Sequence, residues 1–388
     1  MPPTISQSPR DPAFVQDPYS FYAKAHAMGG TLLWEEYGWP VLCSFAEVNS
    51  VFRDRRFGRE PPVPLTYPDR LAPFYEFESR SMLERDGKGH ARLRALVNRA
   101  FVSRTVEAMR GEIITLCHSL IDQLSEGDDL LAGYCEPIPV TVIARLLGVP
   151  TERAADLLLW SHQMVAMYQF GRDRAVEDAA VAATLAFQDF VRSEIDRRRR
   201  EPADDLLSRL IAAEEAGERL STDELITMVI LLLNAGHEAT VHALGNGVKT
   251  LIEHGVTPTT ETAAPVAEEI LRYDPPLHMF TRYALEDVDA YGLALKRGDM
   301  IGLSLAAAAR DPARFEAPEV FDPARADPGH VSLGAGAHFC VGAPLARLEM
   351  QVALPILFDR LPGLKLVERP AYADRYHFHG LERLLVSW

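Results

Sequence analysis

Residues 332–342 have the sequence Ser-Leu-Gly-Ala-Gly-Ala-His-Phe-Cys-Val-Gly, in which three glycines surround a single cysteine. Glycine allows tight turns and a close approach of the backbone to a flat partner, which other residues obstruct. Residues 343–350 continue as an amphipathic helical pattern with a proline in the first turn. Cys340 therefore lies at a predicted helix N-terminus, where free N–H groups and the helix dipole favour a thiolate and lower the pKa of the sulfur.

A single cysteine limits the kinds of metal that this loop can bind. Zinc and iron–sulfur sites need several cysteines or histidines at short spacing. The other cysteines, Cys43, Cys117 and Cys135, form no CxxC pair. Haem iron is the common metal centre that takes one protein thiolate as an axial ligand. The alternative is a buried structural cysteine beside a turn.

Five positions of the loop resemble the haem-ligand loop of the cytochrome P450 superfamily: Gly334-x-Gly336-x-His338-x-Cys340-x-Gly342. The resemblance implies a mainly α fold with a minor β portion, a single-domain helical prism that binds haem b through the cysteine. One position departs from the family pattern, because Leu333 precedes the first glycine where phenylalanine is usual. A smaller side chain there is expected to alter hydrogen bonding to the sulfur and the redox potential of the iron.

The 388 residues carry a formal net charge of −15, which argues against nucleic acid or an anionic membrane as the main partner. The longest apolar run, residues 228–233, is too short to span a bilayer, and residues 1–30 contain no signal or anchor pattern. Four cysteines without a pattern suit a reducing compartment. Since no stretch has the composition of a linker, we expect one continuous domain over residues 1–388, cytoplasmic and monomeric.

Local patterns assign secondary structure along this domain. A small β-rich part covers about residues 30–57, where short aromatic and β-branched runs alternate with turn signals. Residues 58–89 are rich in proline and aromatics and are predicted to form a long ordered loop. A helix-rich part extends over about residues 90–282, and short strands return between residues 284 and 301.

A capping box at residues 221–224 predicts a long helix that continues to about residue 254. The sequence Ala-Gly-His-Glu-Ala-Thr, residues 235–240, interrupts its apolar face. By itself this interruption fits either a packing notch with a surface glutamate or a helix widened beside a ligand. The resemblance implies the second, with Ala235 and Gly236 over the haem.

The acid in this interruption, Glu238, is implied by the resemblance to relay protons during oxygen activation. The family normally places a threonine directly after the acid, where its hydroxyl orders water, but Ala239 occupies that position here. Thr240 lies about 100° further around the helix and is not expected to substitute directly. Either a substrate hydroxyl and water complete the relay, or the reaction needs less proton delivery.

Glu269 and Arg272, at i and i+3, can pair on one helix face, although such pairs are usually weak surface ion pairs. They resemble the ExxR pair of the family. The resemblance implies that Arg325 joins them in a buried network that fixes the cysteine loop.

Cationic partners for the haem propionates are also implied by the resemblance. His90 and Arg94 are one helical turn apart, so both can reach one anion. Arg282 and His338 complete the implied set. Each residue alone fits a solvated surface position as well.

The resemblance further implies a ferredoxin-type electron donor, because no flavin or iron–sulfur domain is attached, with Arg99, Arg104 and Arg347 as candidate contacts. The substrate is expected to be an apolar or natural-product-like small molecule that is hydroxylated or epoxidised. One alternative is a haem-thiolate enzyme of different chemistry, such as peroxide-driven oxidation, oxidative coupling or dehydration, which Ala239 permits. Another is a haem sensor without enzymatic activity, in which Glu238 would have no purpose.

Overall fold

The structure is a computed structural model that describes residues 2–215 and 220–388. It is 54% helical with a small β portion in a single domain, which confirms the predicted mainly α fold. The described residues contain the following helices, α1 to α15 in chain order: Pro12–Gln16, Tyr19–Ala27, Phe45–Val51, Ala72–Arg80, Gly87–Asn98, Ser103–Glu107, Arg110–Ile121, Pro137–Leu147, Ala154–Val165, Arg174–Arg200, Leu206–Glu215, Thr222–His254, Ala263–Tyr273, Leu305–Ala308 and Ala343–Arg360.

The strands of the described residues, β1 to β10, are Thr4–Ile5, Thr31–Trp34, Trp39–Leu42, Phe57–Gly58, Met279–Ala284, Val288–Ala290, Leu293–Leu295, Met300–Ser304, Lys365–Leu366 and Val386–Ser387. One sheet has the order β1-β2-β3-β8-β5-β4, and two smaller sheets pair β10 with β9 and β6 with β7. β3 is parallel to β8, with Val41 opposite Gly302. The β-rich N-terminal part therefore shares its sheet with strands from the second half of the chain.

The central helix α12 has 33 residues and begins at the predicted cap. The Glu224 N–H donates to Ser221 Oγ, and the Ser221 N–H donates to the Glu224 carboxylate. Gly255, with a φ of 63°, ends the helix in the left-handed conformation. Among the described helices only α12 is long and apolar enough to cross a bilayer, and 72% of its most apolar stretch is buried inside the protein. This burial is that of a core helix, and α8, α9, α10, α13 and α15 all contact it.

Part of the predicted loop at residues 58–89 is a helix. α4 has Pro73 in its first turn and buries Phe74 and Phe77. These two aromatics are three residues apart, so they lie on one helix face and pack against the core. The loop prediction is therefore wrong for residues 72–80, where aromatic residues that suggested irregular structure supply the buried face of a helix.

Candidate active site

The cysteine loop turns sharply before α15. Gly334 and Gly336 have φ values of 72° and 66°, which strongly favour glycine. The Cys340 N–H donates a 2.9 Å hydrogen bond to the Leu333 carbonyl, which closes the turn. α15 begins at Ala343, so the cysteine lies just before a helix N-terminus, as predicted.

The electrostatics at this sulfur differ from the expectation. Burial raises the pKa of the Cys340 thiol, and it outweighs the opposing effects of the Gly342 and Ala343 N–H groups and of Arg94 and Arg347. The prediction of a lowered pKa is therefore wrong for the protein alone. A metal cation held by the sulfur would supply the further positive charge that a thiolate needs here.

Gly336 allows a direct test of the loop geometry. A Cβ there would overlap the carbonyl oxygen of Phe52, and its φ is one that side chains rarely adopt. We expect Gly336→Ala to lower the free energy of unfolding by more than the roughly 1–2 kcal/mol that a left-handed backbone alone costs. Urea denaturation followed by circular dichroism measures the loss.

Gly363→Ala is the matched control for this substitution. Gly363 also has a positive φ, 86°, but a Cβ there would meet no atom within 4 Å. The substitution Gly363→Ala therefore introduces the backbone strain without the steric overlap. Equal losses of stability in the two variants would contradict the close contact between the cysteine loop and Phe52.

Polar residues from two elements, α5 and β5, lie beside the cysteine loop. The buried His90 ring, on α5, lies against the ring of His338, with centroids 4.2 Å apart. One turn along α5, Arg94 Nη2 donates a 2.7 Å hydrogen bond to the Phe339 carbonyl. Arg282, on β5, is also buried, and its Nη1 donates to a neighbouring backbone carbonyl at 2.8 Å.

The two arginines of this cluster have no acidic side chains bonded to them in the part of the chain that the structure describes. Within the described residues no carboxylate lies within ion-pair distance of Arg94 or Arg282. The carboxylate nearest to the loop histidine is that of Asp86, 3.1 Å from His338 Nε2. Burial, with the charges of His338 and Arg94, lowers the pKa of His90 to about 4. Burial also lowers the pKa of Arg282 to about 9. Because uncompensated buried charge is costly, the buried Arg282, together with Arg94, fits a ligand that carries carboxylates, as haem does.

The predicted pair of Glu269 and Arg272 is fully buried. Arg272 Nε and Nη2 each donate to a Glu269 carboxylate oxygen at 2.7 Å. The guanidinium also donates to three backbone carbonyls between residues 309 and 320, at 2.9 to 3.1 Å. Arg325 Nε lies 3.6 Å from Glu269 Oε2, so the structure brings the three network residues together. The network ties the chain before the cysteine loop to α13.

Glu238, on α12, is 2% exposed and faces α9. Ser161 Oγ donates a 2.8 Å hydrogen bond to its Oε1, and the Nε2 atoms of His162 and His237 each lie 3.5 Å from the same oxygen. Burial alone would raise the pKa of this carboxyl, but His237, His162 and His242 lower it to about 2. Glu238 is therefore a buried carboxylate held among histidines.

The residues around Glu238 lie on different sides of α12. Ala235 is exposed, and Leu231 and Ala239 are half-buried, at a spacing of four residues along the helix. We call these three residues the open face. Thr240 is buried and does not belong to it. Thr240 therefore lies on a different face of α12 from Ala239, and the expectation that its hydroxyl does not replace the one missing at Ala239 stays a prediction.

Gly236 packs against a neighbouring helix. A Cβ at Gly236 would overlap Ile143 of α8. The small residue at this position lets α8 approach α12 closely. Ala235 lies on the open face, and the expected position of both residues over the haem stays a prediction.

Comparison with known proteins agrees with this arrangement. The family model for cytochrome P450 matches residues 263–362. Cytochrome P450 monooxygenase PikC of Streptomyces venezuelae is 33% identical over 100% of this chain and 95% of its own, and the polyketide biosynthesis cytochrome P450 PksS of Bacillus subtilis is 38% identical over 80% and 78%. The crystal structure of P450BioI, in complex with acyl carrier protein ligated to hexadec-9Z-enoic acid, has a TM-score of 0.92 at 31% identity, covering 97% of this chain and 100% of that one.

Proposed function

Because this chain belongs to the cytochrome P450 superfamily of oxidoreductases, we propose that it is a haem-thiolate monooxygenase that hydroxylates or epoxidises an apolar, natural-product-like small molecule. The observation that carries the proposal is a pair of arginines beside the cysteine loop, the half-buried Arg94 and the buried Arg282, neither of which has a carboxylate within ion-pair distance among the described residues. A ligand with two carboxylates and a central metal satisfies both the cations and the sulfur of Cys340.

The residues of this cluster fit haem b in distinct roles. Cys340 Sγ is assigned as the iron ligand, and the propionate partners are His90, Arg94, Arg282 and His338. When bound, thiolate-ligated haem supplies oxygen activation. The network of Glu269, Arg272 and Arg325 holds the loop, and Glu238 supplies protons from its buried position behind the open face.

The open face supports an apolar substrate. Leu231, Ala235 and Ala239 present only apolar side chains, and apolar walls with few polar groups are typical of small-molecule pockets. PksS is named for polyketide biosynthesis, and the P450BioI structure contains a fatty acid on a carrier protein. We infer a substrate of this long, apolar acyl or polyketide type. A binding screen followed by the haem spin-state shift, with hexadec-9Z-enoic acid as its first probe, tests this class.

An acidic ferredoxin-type protein is the proposed electron donor. Arg99 and Arg104 are exposed near the end of α5 and the start of α6, where they are available to a partner. Arg347, the third candidate contact, donates to Glu268 at 2.8 Å and is less available. The free state of the four cysteines supports a reducing cytoplasm, where we place the protein as a monomer.

A second candidate function follows from Ala239. With no hydroxyl on the open face and Thr240 buried, peroxide-driven oxidation, oxidative coupling or dehydration are the alternatives. Turnover with a surrogate ferredoxin and reductase, compared with hydrogen peroxide alone, separates the two. Activity only with peroxide would favour the second candidate, and a haem-loaded protein inactive in both assays would indicate a haem sensor.

Restoring the hydroxyl at position 239 tests its importance. We expect Ala239→Thr to raise the product formed per NADPH by about threefold to tenfold. A complete acid–base group contributes roughly 100-fold or more to a rate, and we expect a smaller effect here because the acid, Glu238, is already present. Ala239→Val is the matched control, since valine has nearly the same shape as threonine but no hydroxyl. Equal coupling in the two variants, measured as product and hydrogen peroxide per NADPH, would show that the missing hydroxyl is unimportant.

A further inference from the structure

His162 connects the buried Glu238 carboxylate with solvent. Its Nε2 lies 3.5 Å from Glu238 Oε1, yet its side chain is 36% exposed, whereas that of Glu238 is 2% exposed. Ser161, the preceding residue of α9, is fully buried and donates to the same oxygen at 2.8 Å. The two neighbours from α9 thus have different roles: the hydroxyl fixes the carboxylate, and the imidazole extends from it to the surface.

His237 provides a second reason for a proton supply at this carboxylate. Its Nδ1 lies 2.7 Å from the Leu233 carbonyl oxygen, which can only accept, so Nδ1 carries a proton. Its Nε2, 3.5 Å from Glu238 Oε1, would then repel the carboxylate unless a proton lies between them. Since His237 is fully buried, that proton does not exchange directly with bulk water. A proton from solvent can reach His237 through His162 and Glu238.

We propose that His162 is the solvent-side proton carrier that recharges Glu238 during turnover. This inference rests on the proposed monooxygenase function, which consumes protons. Nδ1 of His162 takes a proton from a hydronium ion of the solvent, which leaves water, while the Nε2 proton passes to the Glu238 carboxylate at Oε1, so the imidazole stays neutral and changes tautomer. The carboxyl then gives the proton up toward the open face and returns to its ionised form.

Other charged groups also face this relay. On α12 these are His237 and His242. Burial lowers the pKa of His242 to about 4 despite the opposing charge of Glu238. Beyond α12, Glu136 at the start of α8 and Arg375 in the C-terminal segment influence the same carboxylate and its histidines. Of the three histidines on the carboxylate, only His162 has a substantially exposed side chain, so it is the one that can exchange protons with solvent.

The tautomer of His162 is the first test. In ¹⁵N-histidine-labelled protein, loaded with haem and held in the diamagnetic ferrous carbon monoxide form, long-range ¹H–¹⁵N correlations show which ring nitrogen carries the proton. We expect the Nε2–H tautomer, donating to Glu238, with the signal assigned by its loss in His162→Gln. In Glu238→Met, which removes the acceptor at similar volume, we expect a mixture of tautomers. An Nδ1–H tautomer, or one unchanged in Glu238→Met, would overturn the proposal.

The rate of NADPH consumption is the second test. With a surrogate ferredoxin and reductase in air-saturated buffer and no added substrate, His162→Gln is expected to be about tenfold slower than wild type, with a larger solvent deuterium isotope effect. His118→Gln is the control, because His118 is a half-buried helical histidine whose contact is Arg360. The carbon monoxide spectrum of each variant confirms its haem content. Equal rates in His162→Gln and wild type would overturn the proposal. If wild type consumes no NADPH, the proposed function fails, but the tautomer still decides the role of His162.

Discussion

Replacement of Arg272 by alanine is expected to lower the free energy of unfolding by about 3–5 kcal/mol and to prevent haem retention. The Arg272 side chain is fully buried and donates to both Glu269 oxygens and to three backbone carbonyls. Without it, the buried Glu269 carboxylate loses its bidentate partner and keeps only the Asp322 N–H and Arg325, and backbone carbonyls lose a donor. Each weakened or unsatisfied group adds to the penalty. The effect reaches the cysteine loop because the same network holds residues 309–325.

Urea denaturation and haem content after gel filtration measure the two parts of this expectation. Arg209→Ala is the control, since Arg209 pairs with Asp204 at the surface, with side chains 54% and 92% exposed, and such pairs contribute about 0–1 kcal/mol. A loss below about 1 kcal/mol in Arg272→Ala, with full haem content, would mean that the buried network does not stabilise the loop.

Replacement of Cys340 by serine is expected to abolish the thiolate spectrum completely while the protein stays folded. Serine has nearly the same shape, so the turn that the Cys340 N–H closes with Leu333 is preserved. A metal-bound thiol loses its proton, whereas a serine hydroxyl in the same place keeps it. Absorption spectroscopy after haem reconstitution measures the change, and the far-ultraviolet circular dichroism of the variant should match that of wild type.

Cys43→Ser is the control for this substitution. Cys43 is buried in a different part of the chain, and burial raises its thiol pKa to about 12, so it is a structural thiol. We expect the control to keep the wild-type haem spectrum. A thiolate spectrum that survives in Cys340→Ser, or disappears in Cys43→Ser, would assign the iron ligand to another residue.

Local signals in the sequence predicted much of the fold and the order of its elements. The capping box at Ser221 fixed the start of α12, and the proline after Cys340 fixed the start of α15, because caps and first-turn prolines act within a few residues. The three residues Glu269, Arg272 and Arg325 were correctly expected to meet. That expectation came from the resemblance, since a spacing of i, i+3 alone does not distinguish a buried pair from an exposed one.

Long-range contacts could not be read from local patterns. Ser161 and Glu238 are 77 residues apart and meet only because α9 packs on α12. The close contact of Gly236 with Ile143 was not predicted, since it depends on where α8 packs against α12. The thiol pKa of Cys340 was misjudged for a related reason: a helix N-terminus is visible in the sequence, whereas the extent of burial is a property of the whole fold.

The carbon monoxide difference spectrum of the reduced wild-type protein tests the central claim, that Cys340 holds haem iron as a thiolate. After reconstitution with haem b, we expect the long-wavelength band for which the cytochrome P450 superfamily is named, with a stoichiometry of about one haem per chain. Failure to bind haem, or a carbonyl band of the shorter-wavelength imidazole type in freshly prepared protein, would contradict the account.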